Sequence, residues 1–476
     1  MKDNAKEILS IKTDIVVGEN KELATNTDGR KKTARERIDL FFDKDSFVEI
    51  GLFTQYNYTI TEQTQNSNEG AIAGYGKIKG KSAYLFAQDC TYLKGSFSKA
   101  HADKLVAVID LAIKNGAPIV MFLDSRGARI LEGAYALNGY GDAMNAITRA
   151  SGNIPIISAV FGPTLGGNGI LAALSDIVIA ANEDAEVSMY SKSINEKYKQ
   201  YAFDMMYEDE TSAIFALKNI IRMLPSNSGI MPKRLDGIYG VFKKFDYHKY
   251  YDIRELLNTT FDMSITELKM QSGPSIITAF SALKGQLTGI IASDHSIKKG
   301  AVDKEAAKKT ARFVRFCDSF NIPLIVFVDT EGFEKNIDIK SAAEFGYCFS
   351  EANVPIITLL IGNAIGSAYA SFASKGQGAD YVIAWPNATI SCLSPRAQVN
   401  ISNIAELKTT NTDEKRAELA EEYRDQWASP LVAAKAGYID DIIAPEDTRK
   451  TLLKVIDMVI YKNTHVPNKK HGNVPL

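Results

Sequence analysis

Apolar positions along this chain come in short, dense runs separated by amphipathic stretches of helical period. After a polar, helical arm over residues 1–40, a strand-rich stretch from about Phe47 passes through GYGKIKGKSAYLFAQD. The segment SKAHADKLVAVIDLAIKNG then carries apolar residues at helical spacing and ends at the stop signal Gly116. A continuous apolar run, PIVMFLD, reads as a buried strand. After another helical stretch, IPIISAVFG reads as a further one. A glycine-bearing turn leads into the small, apolar segment GILAALSDIVIA. The same order then returns: AFSALKGQLTGIIASD, the helix KEAAKKTARFVRFCDSFN, the strands PLIVFVD and PIITLLIG, a turn, and SAYASFAS. Short Val/Ile-rich strands alternating with helices predict an α/β class with a largely parallel core.

The return holds residue by residue. Lys79-Gly80 answers Lys284-Gly285, Asp89 answers Asp294, Lys94-Gly95 answers Lys299-Gly300, Pro118 answers Pro323 and Asp124 answers Asp329, every pair 205 positions apart. NIPIISAVFGPTLGG from Asn153 faces NVPIITLLIGNAIGS from Asn353 at an offset of 200. That period is too long for a solenoid and has the length of a compact domain. Two copies of one fold are therefore expected, over 1–240 and 241–476. The stretch from about 190 to 260, with Pro225, Pro232, SNSG and YGVFKKFDYHKYYD, reads as linker or crossover. The polar tail THVPNKKHGNVPL is expected on the surface or disordered.

Charge and cysteine content narrow the function. The net charge of −2 gives no global attraction to nucleic acid or to an anionic membrane. Cys90, Cys317, Cys348 and Cys392 lie far apart with no CxxC pair, which argues against a zinc ribbon or a disulfide framework and fits a reducing cytoplasm. No signal peptide and no membrane span is expected. Arg30, Lys31, Lys32, Arg35 and Arg37 cluster in the arm. A solvated helix face is the expectation there, and contact with a phosphate-bearing ligand the alternative.

Candidate chemistry sits in the turns Pro163-Thr164-Leu165-Gly166-Gly167 and Asn363-Ala364-Ile365-Gly366-Ser367. Each lies between an apolar strand and a small-residue helix start, where N–H groups lack partners and glycine admits a close ligand oxygen. Such a turn suits phosphate or a developing oxyanion, or else serves tight helix–strand packing; its recurrence in both copies favours the former. No Walker A sequence, no GxGxxG after the first strand and no GxSxG is present. The histidines His101, His248, His295, His465 and His471 are scattered without HExxH spacing, so no metal site is expected. Catalysis would then rest on backbone dipoles and on groups that the substrates bring.

KKTARERIDLFFDKDSFVEIG (31–51), FAQDCTYLKGSFSKAHADK (86–104), DSRGARILEG (124–133), FGPTLGG (161–167), ARFVRFCDSFNIPLIVFVD (311–329), NAIGSAY (363–369), ASPLVAAKAGYIDDII (428–443) and KKHGNVPL (469–476) together resemble a known family. It is that of the carboxyltransferase subunits of biotin-dependent acyl-CoA carboxylases and decarboxylases, of the propionyl-CoA carboxylase β and methylmalonyl-CoA decarboxylase α type. The resemblance covers nearly the whole chain. It implies two tandem crotonase-like ββα spiral domains and a homo-oligomer, commonly a trimer of dimers. It also implies an acyl-CoA site in the first domain and a site in the second for biotin borne on a carrier protein. No biotin-attachment AMKM and no ATP-grasp domain is recognisable, so carrier and biotin carboxylase are expected as separate chains. By position, the N–H groups of Gly166 and Gly167 would stabilise a thioester enolate oxygen, and those of Gly366 and Ser367 the biotin ureido oxygen. Gly95, Ser96, Arg126, Gly127, Ala128 and Ala370 would line the substrate side.

The family usually has glycine where Lys94, Arg126, Ser367, Ser394 and Ala397 stand here. Arg126 either points outward or pairs with a carboxylate or phosphate of the substrate. The stretches 186–215, TEGFEKNIDIKSAAEFGYCF after Asp329, and CLSPRAQVN depart from the family pattern, and Ala370 stands where some members tune acyl-chain selectivity. Three functions follow: a carboxyltransferase acting on a short or medium acyl-CoA; the same subunit in a sodium-pumping decarboxylase, with a membrane partner; and a non-catalytic scaffold homologue, motivated by the lost glycines.

Overall fold

A computed structural model of the protein describes residues 2–17, 31–54, 69–190, 202–232, 252–409, 412–463 and 470–475. The chain divides into two compact units, Met1–Ile230 and Met231–Leu476. The boundary expected at 240/241, and nearly all of YGVFKKFDYHKYYD, lie outside the described residues. Among the described residues no helix is long and apolar enough to cross a membrane.

The first unit contains α1 (Lys2–Val17), α2 (Ala34–Phe41), β1 (Val48–Ile50), β2 (Ala71–Ile78), β3 (Lys81–Gln88), α3 (Lys99–Asn115), β4 (Ile119–Ser125), α4 (Ala134–Ala150), β5 (Ile156–Leu165), α5 (Gly167–Ala173), β6 (Ile177–Ala180), β7 (Glu186–Ser188), β8 (Met205–Met206) and α6 (Glu210–Met223). The sheet order is β1-β2-β3-β4-β5-β6-β8, with β7 also on β5. β1 to β3 form an antiparallel meander, and every pairing from β3–β4 onward is parallel.

The apolar run PIVMFLD works because β4 is covered on both faces. Ile119, Met121 and Leu123 join a core with Leu105, Val108 and Ile109 of α3 and Ala143 and Ile147 of α4. Phe122 points the other way and meets Phe41 of α2 edge-on at 5.3 Å and Phe161 at 5.0 Å. The ends of α3 follow the sequence signals. Ser98 caps it by accepting from the His101 N–H, and Gly116, at φ 57°, closes it in the left-handed region.

The second unit repeats the design with α7 (Ile253–Thr260), β9 (Thr266–Leu268), β10 (Ile276–Leu283), β11 (Gln286–Ser293), α8 (Lys304–Ser319), β12 (Leu324–Thr330), α9 (Ile339–Glu351), β13 (Ile356–Ile365), α10 (Gly366–Ala370), β14 (Tyr381–Ala384) and β15 (Thr389–Ser391). It continues with α11 (Pro395–Ser402), α12 (Ile404–Thr409), α13 (Asp413–Tyr423), α14 (Pro430–Lys435), β16 (Asp441–Ile442) and α15 (Thr448–Val459). Its sheet order is β16-β14-β13-β12-β11-β10-β9, with β15 also on β13. The shift in offset within the sequence repeat has a plain origin. Helix α9 has 13 residues where α4 has 17, and the connection to the next strand is one residue shorter.

One glycine in each unit is fixed by a close approach. Gly95 (φ 66°) and Gly300 (φ 69°) sit where an added Cβ would lie 2.1 Å from the carbonyl oxygen of Asp124 and of Asp329, respectively. Replacing either by alanine combines left-handed strain of about 1–3 kcal/mol with displacement of a strand end. Gly300→Ala is expected to lower the thermal unfolding midpoint, as measured by circular dichroism, and an unchanged midpoint would refute this reading of the contact.

Candidate active site

The expected five-residue turns are shorter than the sequence suggests. β5 runs on through Pro163, Thr164 and Leu165, because it changes partner. It pairs with β6 over Ile157–Val160 and with β7 over Pro163–Leu165. β13 does the same, with β14 and then with β15 over Asn363–Ile365. A short strand after the small-residue helix supplies the second partner, a non-local pairing that no turn signal announces. The bend is thus confined to Gly166 (φ 59°) and Gly366 (φ 65°), at the C-terminal ends of parallel strands.

Gly166 does not offer a free donor. Its N–H is bonded to the Ser188 carbonyl at 2.9 Å, so its contribution is the bend itself. Gly167 opens α5, and a helix-opening N–H has no intrahelical acceptor. An added Cβ on Gly167 would come within 2.6 Å of the Tyr140 ring, so the ring packs against this residue and leaves no room for a side chain. Tyr140 stacks on Phe97 at 4.3 Å, and burial pushes its phenol pKa up.

A buried polar network fixes this first turn. Asn168 donates to Tyr140 Oη (2.8 Å) and Ser125 Oγ (3.0 Å), and accepts from Gln88 Nε2 (2.9 Å). Ser125 Oγ also accepts from the Gly127 N–H at 3.3 Å. The β4–β5 register places Ser125 opposite Thr164. Arg126, Gly127 and Ala128 therefore leave β4 beside the Gly166–Gly167 bend. Phe97 donates to the Gly127 carbonyl and accepts from the Arg129 N–H, so the Ala128 N–H is not used by that ladder. Gly95 is buried under this turn, Ser96 is half-buried, and Arg126 and Ala128 are exposed. The structure thus brings together Gly95, Ser96, Arg126, Gly127, Ala128, Gly166 and Gly167 in the first unit.

The basic cluster of the arm is only partly what the sequence suggests. Arg37 is 1% exposed and lies inside the unit, not on a solvated face. It makes a bidentate pair with Glu210 (2.8 and 2.9 Å), reaches Asp124 at 3.2 Å, and lies 4.1 Å from the centre of the Phe161 ring. Lys31 reaches Asp124 at 3.0 Å. Arg35 pairs with Glu49, and Arg30 lies outside the described residues. The signal was compositional, and the partners that draw two of these cations inward stand about 90 and 170 positions away. Cys90 adjoins this network; burial and then Asp124 push its thiol up to about 12, which disfavours the thiolate at neutral pH.

In the second unit Gly366, Ser367 and Ala370 line one cavity of about 610 Å³. Its walls include Tyr369 on α10, Ile390 on β15, Tyr423 at the end of α13, Val432 on α14, and Trp427 and Tyr438. Trp427 lies in a π-helical segment, Arg424–Ala428, a local geometry often found at functional sites. Among the described residues the cavity has no unpaired charged side chain. Lys375 is held by Asp440 at 2.8 Å, and Ser374 Oγ donates to the Ala370 carbonyl. Burial pushes the Tyr369 phenol up to about 12, keeping it neutral. An aromatic-walled cavity lined by Ser367 in the first turn of α10, whose N–H has no intrahelical acceptor, suits a flat, neutral ligand with a carbonyl oxygen. Ser394 caps α11 with its hydroxyl, so a serine at this position is structurally useful. Ala397 donates its N–H to that cap.

The Asp329 counterpart of Asp124 has different company. It accepts from the Asn363 N–H at 2.8 Å and lies 3.0 Å from His295 Nδ1, whose pKa it raises above the ordinary histidine value. The two copies have kept the carboxylate and exchanged its partner, Arg37 and Lys31 in the first unit and His295 in the second. A smaller cavity of about 200 Å³, beside Leu283 and Lys284, lies away from the Gly366–Ser367 bend, and Lys284 there is paired with Asp457.

Similarity to known proteins agrees with this geometry. The carboxyl transferase domain family profile matches residues 25–200 and 197–474. The chain is 35% identical to a propionyl-CoA carboxylase carboxyltransferase subunit of Haloferax mediterranei, over 100% of both chains. It is 34% identical to methylmalonyl-CoA decarboxylase subunit alpha of Veillonella parvula, over 94% of this chain and 93% of that one. Among solved structures, the transcarboxylase 12S hexamer with methylmalonyl-coenzyme A and methylmalonic acid bound superposes with a TM-score of 0.91 at 30% identity, covering 100% of this chain and 98% of that one.

Proposed function

The chain belongs to the carboxyl transferase domain family, and from that premise we propose that it moves a carboxyl group between carrier-linked biotin and the α carbon of a short or medium acyl-CoA. The observation that carries this reading is the cavity of about 610 Å³ that ends on Gly366 and Ser367. Its aromatic walls, the absence of an unpaired charge among its described lining residues and the first-turn N–H of Ser367 fit the neutral, planar ureido ring of biotin. Biotin supplies the transferable carboxyl group and a basic ureido nitrogen when its carrier delivers it.

The chain's own residues then have distinct tasks. The Ser367 N–H would polarise the ureido oxygen, while Tyr423, Trp427 and Tyr438 would hold the ring and exclude water. At the first turn the Gly167 N–H, with the Ala128 N–H on the adjacent strand end, stabilises negative charge on the thioester oxygen as the α-proton leaves. Gly166 contributes the bend, and Asn168 and Ser125 keep the two strand ends in register. No side-chain base is required, because the α-proton would pass to the ureido nitrogen of biotin while backbone donors hold the charge that develops on the thioester oxygen. A separate biotin carrier, a separate biotin carboxylase, a cytoplasmic setting and a trimer-of-dimers assembly belong to the same proposal.

The 34% identity to a decarboxylase alpha subunit favours a second direction of flux, in which the same site takes the carboxyl group from the acyl-CoA for a membrane partner. A scaffold without catalysis is less well supported. Lys94, one of the residues that stand where the family usually has glycine, adopts the left-handed conformation (φ 54°) that Lys299 (φ 57°) adopts in the second copy, so the turn accommodates it. The deciding experiment mixes the purified protein with methylmalonyl-CoA and free or carrier-linked biotin. Biotin-dependent loss of the acyl carboxylate is expected, and inertness with both forms of biotin would overturn the proposal.

A further inference from the structure

The two copies carry the same pair of backbone turns side by side, with different charges on them. In the second unit the Glu331 N–H donates to the Lys299 carbonyl at 3.2 Å, and the Lys299 ammonium grips both Glu331 carboxylate oxygens at 2.9 and 3.1 Å. In the first unit the Arg126 N–H donates to the Lys94 carbonyl at 3.4 Å in the same arrangement. Lys94 keeps its lysine, but the position of Glu331 is taken by Arg126. A neutralised pair has become two like charges on one rim. Both side chains are exposed, and among the described residues neither has a carboxylate partner. Other cations near this turn are satisfied: Arg129 pairs with Glu69 and Glu132, and Lys99 with Asp103 and Asp142.

Two adjacent cations repel unless an anion lies between them, and an arginine beside a lysine is well suited to gripping a carboxylate or phosphate. The rim immediately follows Ser125, which is tied to the first residues of α5 through Asn168. An anion held there would lie beside the Gly167 N–H. We infer that Lys94 and Arg126 form a cation pair that takes an anionic oxygen group of the acyl-CoA, either a carboxylate on its acyl part or a phosphate of its nucleotide. The inference rests on the acyl-CoA reading of the first unit and adds to it a charge requirement on the ligand.

The internal repeat supplies the test variant. Arg126→Glu recreates the Lys299–Glu331 pair on the first rim, a combination this fold already tolerates. Binding of methylmalonyl-CoA is measured by titration calorimetry and its KM by turnover, with Lys94→Asn as a second variant suited to the left-handed position. Losing a charge-assisted contact is expected to weaken binding and raise KM about ten- to a hundredfold for Arg126→Glu, and less for Lys94→Asn. If the acyl carboxylate is the partner, methylmalonyl-CoA is affected and propionyl-CoA is not. If a CoA phosphate is the partner, both are affected together and methylmalonyl-pantetheine is spared. Affinity for every ligand within twofold of wild type in both folded variants overturns the inference. Because calorimetry needs no turnover, Arg126-dependent binding by a wild-type protein that transfers no carboxyl group would leave the pair standing and remove the proposed reaction instead.

Discussion

Ser367→Pro is expected to lower the carboxyl-transfer rate by a factor of about 10²–10³, with the fold and the KM for acyl-CoA unchanged. Ser367→Ala is expected to stay within a few-fold of wild type, since the donor proposed is the backbone N–H and not the hydroxyl. The second turn is the place where this deletion is clean. Ser367 lies in the first turn of α10, where proline is tolerated and its missing N–H breaks no helix bond. The Ser367 carbonyl still accepts from Ser371, and Gly366, lacking a Cβ, avoids much of the clash that a following proline imposes. At the first turn the same operation is confounded. Gly166→Pro would demand a negative φ where the chain has 59° and would remove the bond to the Ser188 carbonyl. Any Cβ on Gly167 would strike the Tyr140 ring. The readouts are single-turnover transfer and circular dichroism on the same samples. Wild-type turnover in Ser367→Pro would remove the second turn from the mechanism.

How much of this site was legible in the sequence depended on whether its parts are local. The strands, the helix caps at Ser98 and Gly116, and the duplication are written in periodicity and in the spacing of a few glycines. The bends at Gly166 and Gly366 were legible because only glycine sits easily at their φ values. What sets those bends was not: β7 and β15 pair with residues about 25 positions earlier, and three-residue strands have no pattern of their own. The cavity wall was half visible. Ser429, Val432, Ala433, Ala436 and Tyr438 all fall within ASPLVAAKAGYIDDII, a segment noted for its resemblance and not for a role. Trp427, one of two tryptophans, is 60% exposed in the cavity wall while Trp385 is buried, a difference that composition cannot show. The charge contrast between Arg126 and Glu331 was present in the aligned copies, but it acquired meaning only when the Lys299–Glu331 contact was seen.

Arg37→Met is expected to destabilise the first unit by about 3–5 kcal/mol, because it leaves carboxylates buried without their cation. Glu210 loses both of its bonds to the guanidinium and keeps only long contacts from the Lys32 N–H and Asn182, at 3.4 Å each. Asp124 keeps Lys31. Both tryptophans belong to the second unit, so far-UV dichroism reports the loss while tryptophan fluorescence reports the other unit. The companion variant Arg37→Met/Glu210→Met discriminates between causes. A buried ion pair replaced by apolar side chains is often neutral or stabilising, so the double variant should recover most of the lost stability. Failure to recover would mean that the single variant acted through lost packing on Phe161, not through an orphaned charge. Activity carries the further information. Asp124 immediately precedes Ser125, whose hydroxyl ties Gly127 to Asn168 at the first turn. If the network serves only folding, stability and transfer rate recover together. If the Arg37–Asp124 contact also positions that turn, the double variant is stable yet slow in kcat, and Arg37 is then a positioning residue for chemistry it never touches.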